Sequence, residues 1–119
     1  MADASIIDPQ SIENLRSLNP GDDDEFLREI TGIFFDDTPQ RIAELDQSLA
    51  DGDVTRFTRA AHSIKGSSSN LGAVALRSAA EKLELQARTD GLTGISELVA
   101  AVKSEFDRAR TELQAIIAR

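Results

Sequence analysis

A chain of 119 residues with 40% hydrophobic content can hold one domain with a modest core, and is too short to combine a kinase, an ATPase and a binding domain. Thirteen basic residues against 21 acidic ones leave a formal net charge of -8, which argues against a broad basic surface, so no nucleic-acid partner is expected. With no cysteine and a single histidine, disulfides and thiolate metal sites are excluded, and neither a metal nor another cofactor is expected.

Asp8-Pro9 reads as a helix start, with Asp as the N-cap and Pro at the first helical position. Ile12, Leu15 and Leu18 form its apolar stripe, and Asn19-Pro20-Gly21 ends it. The next helix opens on Asp22, Asp23, Asp24 and Glu25, acids that suit the positive end of the helix dipole and read as capping residues, not as a metal site. Phe26, Leu27, Ile30, Ile33 and Phe34 recur at helical spacing, and Ile42, Leu45 and Leu49 resume the pattern after Thr38-Pro39. Either Pro39 kinks one helix or Thr38 caps a second one. One long, bent element ending at Asp51-Gly52 is the expectation.

Asp53 is the expected cap of a third helix, whose buried stripe is Val54, Phe57, Ala61, Ile64, Ser68 and Leu71. At roughly 100° per residue, His62 points about 130° away from the centre of that stripe and faces solvent. Val74, Leu76, Ala79, Ala80, Leu83 and Ala87 mark a fourth helix closed by Thr89-Asp90-Gly91. Ile95, Leu98, Val99, Val102, Phe106, Ala109, Leu113 and Ile116 mark the last. No segment alternates with period two. Four amphipathic helices on short turns predict an all-α fold, an antiparallel up-down four-helix bundle with a short additional N-terminal helix over one end.

No window approaches the ~18 apolar residues of a membrane span, and the N-terminus has neither a basic start nor a long apolar run. No membrane partner and no signal peptide are expected, which places the chain in the cytoplasm.

His62 carries the most chemistry. Lys65 and Gly66, three and four positions on, share its side of the helix, and Ser67, Ser68 and Ser69 keep the surroundings small. A cation one turn away neutralises an anion placed on the ring nitrogen, while Gly66 costs about 1 kcal/mol inside a helix and lets another surface come close. This combination suits an imidazole that takes a phosphoryl group and gives it up again. Arg59, one turn before His62, reads equally as a phosphate contact and as an ordinary surface side chain.

His62-Ser63-Ile64-Lys65-Gly66-Ser67-Ser68, followed by Leu71-Gly72-Ala73, resembles the signature of histidine-containing phosphotransfer (HPt) domains. Phe-Phe-Asp-Asp-Thr-Pro-Gln-Arg before it and Ala-Glu-Lys-Leu-Glu after it are similar too, so the resemblance spans roughly residues 22 to 117. It implies a single HPt domain over 1–119, with a covering helix in 1–21 and the bundle in 22–118. His62 would be the phosphorylated residue, Lys65 would balance phosphate charge, and Gly66 would leave room for docking. Arg59, Ser67 and Ser69 would lie on the partner-binding face. The implied partners are receiver domains of response regulators and hybrid histidine kinases, served by a monomeric phosphocarrier with no ATP-dependent activity of its own. Some members carry Gln where this chain has Glu84; an acid there could fix the ring tautomer but would repel phosphate, and Glu84 is left without a role. The alternatives are a domain phosphorylated in trans by a chemotaxis-type kinase core and a helical adaptor without phosphotransfer.

Overall fold

Helix ends in this chain are written by a few side chains. Asp8 accepts a hydrogen bond from the Gln10 amide at 3.0 Å with Pro9 beside it, and Asp53 accepts from the Arg56 amide at 3.1 Å. In the computed structural model, which describes residues 6–118, these caps open two of five helices: α1 (Pro9–Leu18), α2 (Glu25–Asp51), α3 (Val54–Asn70), α4 (Val74–Asp90) and α5 (Ser96–Ile117). No strand occurs among the described residues. Helix α2 runs unbroken through Pro39, as one long element. Of the acids before it, Asp22 accepts from the Phe26 amide at 3.0 Å, whereas Asp24 adopts a left-handed backbone and pairs with Arg16.

Helices α2, α3, α4 and α5 each pack on the next, and α5 closes on α2, which makes the four-helix bundle. Phe57, Leu45, Ile64, Leu76, Leu83, Val102 and Leu113 fill its axis, with Phe34 and Phe106 in tilted contact at 5.5 Å between centroids. Helix α1 sits at the end where α2 begins and α3 turns into α4. Its Ile12 and the preceding Ile7 are buried, the Asp8 amide donates to the Gly72 carbonyl at 2.7 Å, and Arg16 reaches Asp24 at 3.1 Å.

Four expected core residues face water: Leu18, Ile33, Val54 and Val74. Leu18, Val54 and Val74 are terminal residues of their helices, where a stripe has run past its neighbour. Ile33 lies about 120° around α2 from the buried line through Leu27, Phe34 and Leu45. Thr31, Thr38 and Ser48 take inward positions on that line instead. Thr31 Oγ1 donates to the Leu27 carbonyl at 2.7 Å and Ser48 Oγ to that of Glu44 at 2.5 Å, so these hydroxyls are satisfied without water.

Candidate functional site

Because Phe57, Ala61 and Ile64 turn α3 inward, His62 stands on its outer face with 61% of its side chain exposed. Its Nδ1 lies 2.9 Å from Oε2 of Glu84 on α4, a residue only 5% exposed. A carboxylate can only accept, so Nδ1 carries the proton and Nε2 presents its lone pair outward. Among the described residues Nε2 has no hydrogen-bond partner.

Glu84 is the hub. Lys65 Nζ lies 2.8 Å from its Oε1, and Arg88 Nη2 lies 2.7 Å from its Oε2. Both are close ion-pair contacts. Burial alone pushes the Glu84 carboxyl up; the Lys65 ammonium and the His62 ring outweigh that and hold it below its ordinary value. It is therefore ionised at neutral pH, and the Lys65 and Arg88 cations offset its charge.

Gly66 is exposed one turn after His62, and a Cβ built there would meet nothing within 4 Å. No packing among the described residues requires glycine at this position. Ser67 Oγ donates to the Ser63 carbonyl at 3.1 Å, and Ser69 Oγ accepts from Arg77 Nε at 2.9 Å, so both hydroxyls are occupied by their own chain. On the other flank, His62 borders a groove of about 430 Å³ walled by Val54, Thr55, Thr58, Arg59, Ala87 and Arg88. Exposed Val54 lies in that wall, and exposed Leu85 lies beside Lys65 and Glu84. Among the described residues no acidic or histidine cluster could hold a metal.

His62 and Lys65 thus meet at Glu84, Gly66 leaves a bare patch beside them, and Arg59 lines one groove with the ring. Sequence reasoning missed Arg88 and left Glu84 aside. The signal was their i, i+4 spacing on α4, which makes an ion pair along one face.

The Hpt domain pattern matches residues 29–112. Multistep phosphorelay regulator 1 of Schizosaccharomyces pombe is 26% identical over 96 residues, covering 81% of this chain but only 32% of that protein, so the chain spans about a third of this relative's length. Histidine-containing phosphotransfer protein 4 of Arabidopsis thaliana is 26% identical over 110 residues, covering 91% of this chain and 86% of the relative. The crystal structure of histidine-containing phosphotransfer protein B from Pseudomonas aeruginosa PAO1 superposes with a TM-score of 0.87 at 29% identity, covering 98% of both chains. With its outward histidine, its bundle and a match over most of its length, the chain belongs to the Hpt domain family.

Proposed function

We propose that His62 is the phosphorylated residue of a phosphorelay carrier, taking a phosphoryl group from a receiver-domain aspartate and passing it to the aspartate of another receiver. The observation that carries this reading is the single open nitrogen: Nδ1 is held by Glu84 and Nε2 is left as the nucleophile. Nε2 attacks phosphorus as the bond from phosphorus to the aspartyl oxygen breaks. The aspartate leaves as a carboxylate, and the ring becomes a cation that keeps its Nδ1 proton against Glu84. A buried carboxylate at that nitrogen favours the charged ring over the neutral one. The reverse sequence unloads the ring onto the next receiver.

Lys65 balances charge on the loaded ring, and Gly66 admits the partner's surface. Arg59, Ser67 and Ser69 border the docking face; the two serines contribute chiefly small size, since their hydroxyls are engaged. Exposed Val54 and Leu85 supply apolar contact on either side. The reading makes residues 1–119 one domain, with 1–21 as cover and 22–118 as bundle, acting as a cytoplasmic monomer without ATP-dependent kinase activity. No helix among the described residues is long and apolar enough to cross a membrane.

The test is transfer from a purified, radiolabelled receiver phosphate. The chain should acquire an acid-labile, base-stable label, and His62→Gln should acquire none. Label retained in that variant moves the site away from His62.

A further inference from the structure

The groove on the N-terminal flank of His62 has an unusual lining for so acidic a chain. Acids outnumber bases 21 to 13 overall, yet its wall contains two arginines, two threonines and no carboxylate. Thr58 and Arg59 precede His62 by four and three residues, so a helix sets both one turn below the ring on the same side. Among the described residues Arg59 makes no ion pair, and the hydroxyls of Thr55 and Thr58 make no hydrogen bond. By contrast, Lys65 lies against Glu84 with its side chain 26% exposed, so part of its charge is already answered. Arg88 also touches Glu84, but its side chain is 60% exposed and it lines the groove as well.

From this arrangement, and resting on His62 as the phosphoryl acceptor, we infer that the groove is an oxyanion subsite for a phosphoryl group, with Arg59 as its uncommitted cation and Arg88 as an exchangeable one. Guanidinium groups present paired N–H donors that match phosphate oxygens, and threonine hydroxyls add neutral donors. An anion in the groove draws Arg88 from Glu84, which keeps Lys65 and the Nδ1 proton of His62. The phosphoryl group therefore approaches Nε2 from the Arg59 side, and Lys65, held against Glu84, balances charge from the opposite flank. Two sources share this chemistry: free phosphate compounds and an aspartyl phosphate carried on a protein.

The test uses the whole chain, whose one histidine gives a single imidazole signal pair in proton NMR. Inorganic phosphate, titrated against chloride at matched ionic strength and constant pH, should move that pair saturably. Arg59→Gln should weaken the response roughly threefold or more, Thr58→Val should weaken it less, and Arg110→Gln on α5 should leave it unchanged. A second arm measures transfer from a phosphorylated receiver. Slower transfer to Arg59→Gln extends the subsite to aspartyl phosphate, whereas unchanged transfer with weakened phosphate binding restricts it to free phosphate compounds. An unmoved histidine signal, or an Arg59→Gln variant that responds like the parent, overturns the proposal. Neither result touches the carrier reading, which fails separately if His62→Gln still takes up label.

Discussion

Nδ1 of His62 and Oε2 of Glu84 are 2.9 Å apart, joining an exposed ring on α3 to a buried carboxylate on α4. The pair does two things that substitution can separate. The acceptor oxygen holds the ring in one tautomer and, on the reading proposed above, the negative charge would stabilise the cation formed on phosphorylation. Glu84→Gln keeps an acceptor and loses the charge, so the ring should remain protonated at Nδ1 while uptake from a phosphorylated receiver slows about tenfold, equivalent to ~1.4 kcal/mol at the transition state. Glu84→Ala should lose both and give a mixture of tautomers. Nitrogen NMR of the imidazole, read beside the uptake rate, checks this; unchanged uptake in both variants would reduce Glu84 to a packing role.

Gly66 has open space where a Cβ would stand. Gly66→Ala should therefore fold normally and gain up to about 1 kcal/mol from better helix propensity and a less flexible unfolded chain. Transfer from a receiver should nonetheless fall, because the new methyl group meets only the partner. Urea unfolding beside transfer kinetics separates the effects, and undiminished transfer would remove the docking role.

What the sequence made legible follows from periodicity. Phe57, Ala61 and Ile64 define the inward side of α3, so the outward orientation of His62 could be computed before any tertiary contact was known. The same arithmetic set Leu76, Ala80, Leu83 and Ala87 inward on α4, but nothing in it marked Glu84 as buried while its neighbour Leu85 is 61% exposed. Leu83 and Ala87 point to the core there, and Glu84 lies one step round, at the seam with α3. A carboxylate is tolerated at that seam only because Lys65 and His62 come to it from the other helix. Those partners sit about twenty positions earlier, beyond the reach of a local pattern. Thr31 and Ser48 on α2 escaped for a related reason, since a hydroxyl bonded to its own helix is polar in composition and apolar in effect.

Gly72 shows the opposite case from Gly66. Its φ is +69°, its carbonyl accepts from the Asp8 amide, and a Cβ there would land on Cβ of Ser11 and within 2.6 Å of its Oγ. Gly72→Ala should destabilise the chain by about 3 kcal/mol through left-handed strain and overpacking against α1. Adding Ser11→Gly should recover the packing share and leave the backbone strain. A double-mutant cycle by urea unfolding checks this. Additive losses would mean that α1 does not press on the turn following the histidine helix.

The depressed carboxyl of Glu84 also sets a pH dependence whose sign is fixed. Burial alone would raise it, but Lys65 and His62 bring it below its ordinary value of 4.5. The unfolded chain, with an ordinary carboxyl, then takes up the proton first as pH falls. The stability that the Glu84 charge contributes is therefore complete above 4.5 and is lost as pH drops through the lower value in the folded chain. Glu84→Gln lacks this contribution at every pH. Near pH 7 the parent should exceed the variant by about 1–2 kcal/mol in urea unfolding, and the gap should close below pH 4.5. The other carboxylates are common to both proteins and cancel in the difference. A gap that stays constant down to pH 3 would show that the Glu84 charge contributes nothing to folding.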